Sequence, residues 1–374
     1  LIRHGYDVTL LSQSGTKNPS DFGYQNVLDN IDLNYVSPNE ATVSDWFLGN
    51  LQLLRCGIVP ETRAKTYYRM FQKALELIQS KNISNVIITT PTHHAQLIGL
   101  FLKLRLGNSI NLIVDYRDSW FTNNFYRKKG TLSRVSSEHK EKVILNKCDY
   151  FTYVTEPMLT KIINQYGLKN IAQKSHLIMN GYNKNIDLPF IDRKEGEPIK
   201  VGYFGHLADG KNSFRRIDTL VAALEDSPEL QNEIEFYFYG DIKLTNTSLK
   251  NVKNIYVNHS VPHDEALKIM ATMDYLLLIH SNPETSDDVI PGKFFEYASV
   301  KVPILNFAPP IMEVNKLVEQ YGIGKTIDIT SSESMKNGLT GISKMPGCYD
   351  DLDITIFSRE RQYKRFLECL HSNI

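Results

Sequence analysis

The residues best suited to chemistry lie in one segment, Val289-Ile290-Pro291-Gly292-Lys293-Phe294-Phe295-Glu296-Tyr297. A proline–glycine turn opens a helix there, and a lysine and a glutamate three residues apart share its first exposed face. The free backbone N–H groups of such a turn, with the positive end of the helix dipole, suit a phosphate group. Lys293 adds a mobile cation, and Glu296 can accept hydrogen bonds from sugar hydroxyls. That combination is the equipment for a diphosphate attached to a ribose. Taken alone, the segment also fits an ordinary strand-to-helix turn with a solvated Lys–Glu pair; the surrounding chain favours the first reading.

Three further groups of polar residues follow expected strands, where parallel α/β sheets put their ligands. In Thr89-Thr90-Pro91-Thr92-His93-His94 the adjacent histidines diverge on any regular element, so a shared metal is not expected. One of the two, His93 or His94, can reach a ligand while the other packs. In Asp115-Tyr116-Arg117-Asp118-Ser119-Trp120, two carboxylates and a guanidinium are costly to bury unpaired. They either form an internal Arg–Asp pair that stiffens the loop or make a charged floor for a sugar acceptor, with Asp118 available as a base; the second reading is preferred. In Phe204-Gly205-His206-Leu207-Ala208-Asp209-Gly210-Lys211, glycine lets the backbone approach a ligand and Lys211 stands near the next helix start. The spacing is not that of a P-loop. Two lysines and a helix terminus can hold a diphosphate without a metal ion and stabilise it as a leaving group. No Ser/His or Cys/His nucleophile–base pair is evident, and Gly322-Ile323-Gly324 lacks the third glycine of a dinucleotide fingerprint.

Those residues need a scaffold of alternating strands and helices, and the sequence supplies it. Short apolar runs at Asp7–Gln13, Asn85–Thr90, Asn111–Asp115 and Tyr150–Val154 alternate with helical patterns. A second series follows at Ile199–Phe204, Ile234–Tyr239, Asn254–Val257, Tyr275–Ile279 and Pro303–Phe307. Tyr67, Met70, Phe71, Ala74 and Ile78 form one helical stripe; Ala266, Ile269, Met270 and Met273 form another, opened by Pro262 and Asp264. Ala95 to Leu106 reads as an amphipathic helix interrupted by Lys103 and Arg105. Asn183–Pro198 is polar and aperiodic, which marks a boundary. The expected fold is α/β, with two Rossmann-like, doubly wound parallel-sheet domains facing a cleft. Residues 1–190 form the acceptor-side domain, 191–355 the nucleotide-sugar donor domain, and 356–374 a terminal helix that crosses back to the first. Leu1 to Leu11 looks like the last turn of a helix, a glycine stop and a strand, so the first domain is expected to lack its N-terminal strand.

The bulk properties fit. The 374 residues exceed one ordinary core, and hydrophobic content of 42% with 22% charged describes a globular chain. Lys+Arg and Asp+Glu both number 42, so no net field draws nucleic acid. Cys56, Cys148, Cys348 and Cys369 are scattered and read as reduced thiols of a cytoplasmic protein, with no zinc spacing.

At these residues the chain resembles bacterial glycosyltransferases of the GT-B fold, specifically family 4 and its relatives in surface-polysaccharide synthesis. Gly5 to Leu11 is similar to the family's second strand, and Asp115 to Trp120 to a D-x-R-D-x-W block in some of these enzymes. Asp149 to Met158 looks like the strand before the domain linker, and Asn180-Gly181-Tyr182 like its Asn-Gly turn. Tyr203 to Leu207 with Lys211 resembles the first phosphate loop. Val261 to Ala266 and Gly292 to Tyr297 complete the set, in the family's order. The resemblance implies that Gly205, Lys211 and Lys293 hold the donor diphosphate, with Gly292 at the helix start and Glu296 on the ribose, and that the backbone around Val261 borders the base. Asp288 stands where many relatives carry a glutamate on the donor sugar, and His206 where many carry an arginine. Asp118 and Arg117, with Lys211 and Lys293, are the catalytic candidates; His93, Asp115 and Trp120 are the acceptor-side ones.

The activity implied is that of a hexosyl- or related glycosyltransferase: metal-independent transfer with retention, with no cofactor beyond a nucleotide sugar as co-substrate. The acceptor would be a saccharide or a lipid-linked saccharide. Arg127-Lys128-Lys129, beside Phe121, Phe125 and Tyr126, reads either as a solvated basic loop, the more frequent case, or as a contact with anionic lipid at the inner face of the cell membrane. Two alternatives stand beside this: a nucleotide-sugar 2-epimerase of the same fold, using His93, Asp118 and His206 on the sugar ring, and a non-catalytic glycosyltransferase-like subunit bound to a partner.

Overall fold

The computed structural model describes residues 1–14, 31–90, 92–122, 131–183, 196–208, 215–244, 251–280, 287–343, 345 and 349–371. The chain divides into two compact units. The first comprises Leu1–Tyr153, Met158–Ile178 and Lys364–Ile374; the second comprises Val154–Pro157 and Met179–Tyr363.

The first unit contains strands β1 (Thr9–Gln13), β2 (Asp32–Val36), β3 (Asn85–Thr89), β4 (Asn111–Asp115), β5 (Tyr150–Tyr153) and β6 (Ser175–Leu177). Its helices are α1 (Val43–Arg55), α2 (Ala64–Lys81), α3 (Gln96–Leu106), α4 (Thr131–Lys147) and α5 (Glu156–Tyr166). Strands β3-β4-β5-β6 form one parallel sheet in that order, while β1 and β2 form a separate parallel pair. Strand β4 is buried at every position, as expected of a parallel strand covered on both faces. Helix α3 is not amphipathic in the way the sequence suggested: Gln96 through Leu102 are all buried. Lys103 reconciles burial with charge by extending its amine to Asp149, at 2.6 and 2.8 Å, and to the Ile110 carbonyl at 3.0 Å. A Cβ at Gly99 would meet Ile88 Cδ1 at 2.7 Å and Leu112 Cδ1 at 2.8 Å, so the glycine lets α3 lie close on β3 and β4.

The second unit is built on β7 (Ile199–Phe204), β8 (Leu207–Ala208), β9 (Ile234–Tyr239), β10 (Ile242–Lys243), β11 (Ile255–Asn258), β12 (Tyr275–Ile279), β13 (Ile304–Phe307) and β14 (Gly324–Ile327). Its helices are α6 (Asp218–Glu225), α7 (Pro228–Glu233), α8 (His263–Met270), α9 (Gly292–Val300), α10 (Glu313–Gln320) and α11 (Ser332–Leu339). Six strands form one parallel sheet in the order β11-β9-β7-β12-β13-β14, and β8 and β10 make a short parallel pair. Successive residues of β12 and β13 feed opposite faces. Leu276, Leu278 and Ile304 join the core beneath α8, α9 and α10, whereas Tyr275, Leu277, Leu305 and Phe307 join the one beneath α6 and α11.

The last helix is α12 (Arg359–His371). Tyr182 and Arg359, both in the second unit, clasp the segment before it: Tyr182 donates its N–H to the Phe357 carbonyl at 3.1 Å and accepts the Arg359 N–H at 2.9 Å. Farther along, Phe366, Cys369 and Leu370 pack with Ile113 and Ile178 of the first unit. Asn111 donates to the Cys369 carbonyl at 3.1 Å. No helix among the described residues is long and apolar enough to cross a membrane.

Candidate functional site

The second unit's sheet has one place where the strand order turns back on itself. From β7 the chain builds outward through β9 to β11, then returns to lay β12 on the other side of β7. At such a switch point the loops leaving the two strands diverge and open a crevice at their carboxyl ends. Gly205 leaves β7 there, His280 leaves β12, and α9 begins after the loop that β12 feeds.

Gly205 and Lys293 meet at this edge. Gly205 has φ +156° and donates its N–H to the Tyr239 carbonyl at 2.8 Å. A Cβ at Gly205 would lie 2.7 Å from Lys293 Cε and 3.3 Å from its Nζ, so the lysine lies directly on the bare glycine backbone. Lys293 belongs to the first turn of α9, whose N-cap is Pro291. Among the described residues nothing lies within 4 Å of where a Cβ at Gly292 would stand, so a ligand can approach the first N–H groups of the helix. Burial depresses the Lys293 amine below the ordinary lysine value, the Glu296 carboxylate opposes that, and Arg215 adds to it. A partly desolvated ammonium near a second cation and a helix N-terminus is an arrangement that can receive an anion.

One turn further along α9, Glu296 Oε1 lies 3.3 Å from Nδ1 of His263, the first residue of α8. Val261, just before that helix, is partly buried against the same core. His206 is turned elsewhere, with its Nδ1 3.0 Å from Asp241, which also holds Lys243 at 3.0 Å. Asp288 is buried, and its carbonyl accepts the Thr155 hydroxyl at 2.7 Å. Lys211 lies outside the described residues, as do Arg127, Lys128 and Lys129.

Two residues of this site were not anticipated. Arg215 acts electrostatically on Lys293, His280, Tyr203 and Tyr297 at once, which places a guanidinium at the crevice. His280 is buried, and neither ring nitrogen has a partner among the described residues. Burial, with Arg215 adding to it, holds the imidazole pKa at about 4, so it is neutral at physiological pH. The only hint of His280 in the sequence is that it stands directly after an apolar strand bordering the switch point.

In the first unit the polar residues at the ends of β3 and β4 have separated into two kinds. Asp115 is an internal anchor: Arg117 grips it at 2.9 and 2.7 Å, and the hydroxyls of Thr89 and Thr152 donate to it at 2.6 and 2.5 Å. Arg117 also donates to the Ile178 carbonyl at 2.9 Å and lies over the Phe366 ring. The pair therefore takes the internal form of the two open to it. Both oxygens of the Asp115 carboxylate are engaged in it. His93 is the packed member of its pair: its Nε2 bonds to the Asp118 carbonyl at 2.8 Å, and its ring stacks on Trp120 with centroids 5.5 Å apart. Burial lowers the pKa of His93 and takes that of His94 to about 4. Trp120 is itself buried. Asp118 is half-buried.

No protein-family profile matches the sequence, and no curated protein matches it. Solved structures do. The apo form of the lipopolysaccharide outer core galactosyltransferase WaaB is 14% identical, with 93% of this chain and 86% of that one covered and a TM-score of 0.63. A trehalose-6-phosphate synthase is 12% identical over 100% of this chain and 95% of that one, also with a TM-score of 0.63. A glycosyltransferase from Rickettsia africae is 12% identical over 100% and 92%, with a TM-score of 0.59. At such low identity the likeness is one of architecture, and the architecture is the GT-B fold, with two Rossmann-like parallel-sheet domains.

Proposed function

We propose that this protein is a glycosyltransferase that moves a sugar from a nucleoside-diphosphate donor to the hydroxyl of a saccharide or lipid-linked saccharide. The observation that carries the reading is the Lys293 side chain laid on Gly205 at the sheet's switch point, beside the open start of α9. In this reading the diphosphate lies across Gly205, where no side chain keeps it from the backbone, and receives charge from Lys293, Arg215 and the N–H groups of α9. Lys211 adds a further cation. Glu296, whose Oε1 lies 3.3 Å from Nδ1 of His263, accepts the ribose hydroxyls. The backbone around Val261 borders the base, and Asp288 stands behind the donor sugar.

The reaction breaks the bond between the anomeric carbon and the diphosphate oxygen and forms one to the acceptor oxygen. The acceptor's proton passes to the departing diphosphate. Stabilising the leaving group is the main task, and fixed cations in a partly dry site perform it without a metal ion. Attack from the leaving-group side retains the configuration. The structural neighbours support the same class, since they include a lipopolysaccharide galactosyltransferase and a trehalose-6-phosphate synthase studied for glycosyltransfer with retention.

The test is thermal stabilisation by UDP, GDP, ADP, CMP and dTDP, since a ligand that binds only the folded state raises its melting temperature. One diphosphate should stabilise the protein, and the Lys293→Ala/Glu296→Ala double variant should not respond. An unchanged affinity in that variant would remove the donor from this place; no response to any nucleotide would favour a non-catalytic subunit.

A further inference from the structure

His280 is 6% exposed, and neither nitrogen of its ring has a partner among the described residues. A buried polar group left in that state costs stability, so it calls for an explanation. Its backbone N–H donates to the Phe307 carbonyl at 2.8 Å, which carries the ladder between β12 and β13 one residue past Ile279. Side chains alternate along β12: Leu276 and Leu278 join the core under α9, and Ile279 joins the opposite one. His280 therefore falls on the α9 side, at the carboxyl end of the sheet. Asn306 of β13 lies opposite Leu278 on that same side. Its Nδ2 donates to Asn315 Oδ1 at 2.8 Å, but its buried Oδ1 has no partner among the described residues. Two adjacent strands thus carry, near their ends, polar atoms that the described residues do not satisfy.

We propose that His280 is a specificity-determining residue of the donor site and accepts a hydrogen bond from a hydroxyl of the sugar being transferred. This role rests on the donor function proposed above. The cations and amides brought to this edge, Lys293, Arg215 and the first N–H groups of α9, can only donate. They suit diphosphate oxygens, which only accept. A sugar hydroxyl carries a proton and needs an acceptor, and Glu296 stands one turn further along α9, beside His263. An imidazole can accept only while it is neutral, and burial together with the Arg215 charge keeps His280 so. The guanidinium that favours the diphosphate thereby also keeps the neighbouring ring in its accepting form. A bound diphosphate acts the other way, but a pKa of about 4 leaves a wide margin below physiological pH. The second ring nitrogen keeps its proton and can donate to another oxygen of the same ligand.

The test compares free diphosphates with their sugar conjugates by titration calorimetry of the 374-residue chain. UDP is set against UDP-glucose, UDP-galactose and UDP-N-acetylglucosamine, GDP against GDP-mannose, and ADP and dTDP against their glucose conjugates. The conjugate that binds best is the probe. His280→Leu should weaken the probe by about tenfold or more and leave its free diphosphate within about twofold, because a site built to bond a hydroxyl is specific for it. His280→Gln keeps an acceptor and a donor and should recover most of the loss. Analogues of the probe with one hydroxyl at a time replaced by fluorine, which cannot donate, identify the partner. One of them should bind the parent protein more weakly than the probe does, yet bind His280→Leu as well as the probe does. His280→Leu should melt no lower than the parent, since it removes an unpaired buried ring, and that separates lost binding from lost folding. His280→Ala serves the same comparison with a smaller side chain.

Equal losses for the diphosphate and its conjugate would put His280 on the diphosphate, the ribose or the fold, and overturn the inference. So would a probe affinity that the folded variants leave unchanged, or a diphosphate that binds while none of its conjugates does. The donor function fails separately, by absence of diphosphate binding to the parent protein or by undiminished binding to Lys293→Ala/Glu296→Ala.

Discussion

An alanine side chain at Gly205 would stand 2.7 Å from Lys293 Cε, closer than carbon atoms of neighbouring residues can approach. The two residues are coupled although 88 positions separate them. Gly205→Ala should therefore displace the lysine and also strain a backbone at φ +156°. We expect the nucleoside diphosphate to bind about tenfold more weakly or worse, a cost of ~1.4 kcal/mol or more. Titration calorimetry measures it, and unchanged affinity would show that the diphosphate does not lie across this glycine.

Lys293 is depressed by burial in the free protein, and a bound diphosphate would supply the missing negative charge and raise it again. Binding then takes up a proton once the free amine has begun to titrate. Diphosphate affinity should fall as the pH rises toward the lysine range, and Lys293→Arg should flatten that fall because a guanidinium keeps its charge. Calorimetry in buffers of different ionisation enthalpy would detect the proton directly; equal heats in all of them would count against the assignment.

Asp115→Asn should destabilise the first unit by about 3–5 kcal/mol, because it leaves the Arg117 guanidinium buried without its carboxylate. Urea unfolding would show the loss. Nucleotide affinity should be unaffected, since Asp115 serves the packing of β4 and α12. A variant with full stability and no transfer activity would restore Asp115 to the reaction.

Glu141 is fully buried in the first unit, where its carboxyl accepts the Tyr166 hydroxyl at 2.6 Å and the Phe121 N–H at 3.0 Å. Burial raises its pKa from 4.5 to about 7 despite those hydrogen bonds. In that window the folded chain keeps a proton the unfolded chain has released, so stability falls as pH rises and levels off above about 7. The shift corresponds to about 3 kcal/mol. Glu141→Gln keeps an acceptor for both donors and removes the ionisation. It should lose about 3 kcal/mol less than the parent between roughly pH 5 and pH 8 in urea titrations. Parallel pH profiles for the two proteins would exclude the carboxyl as the cause.

Much of this architecture can be read from the chain. Strands β4, β7, β9 and β12 begin and end where their apolar runs do, because buried parallel strands carry near-continuous hydrophobic sequence. The strands that escape notice lie at sheet edges or are very short. In β14, Gly324-Lys325-Thr326-Ile327, the glycine is demanded by the Ile304 carbonyl oxygen, only 1.9 Å from where a Cβ would be. That glycine belongs to sheet packing, which accounts for the incomplete fingerprint around it. Strand β2 is an edge strand of alternating character, and β6 is three residues long. Gly205, Lys293 and Glu296 stand after a strand and at a helix start that the sequence marks. Arg215 and His280 are not marked in this way, because only the folded sheet brings the polar stretch after β7 and the residue after β12 to one edge.

The segment from Lys364 onward belongs to the first unit, yet it follows the whole of the second in the chain. During synthesis the earlier unit must therefore wait, with Asn111 lacking the Cys369 carbonyl and Arg117 lacking the Phe366 ring, until nearly all of its neighbour has left the ribosome. The order in which the two units are made is the reverse of the order in which they can be finished.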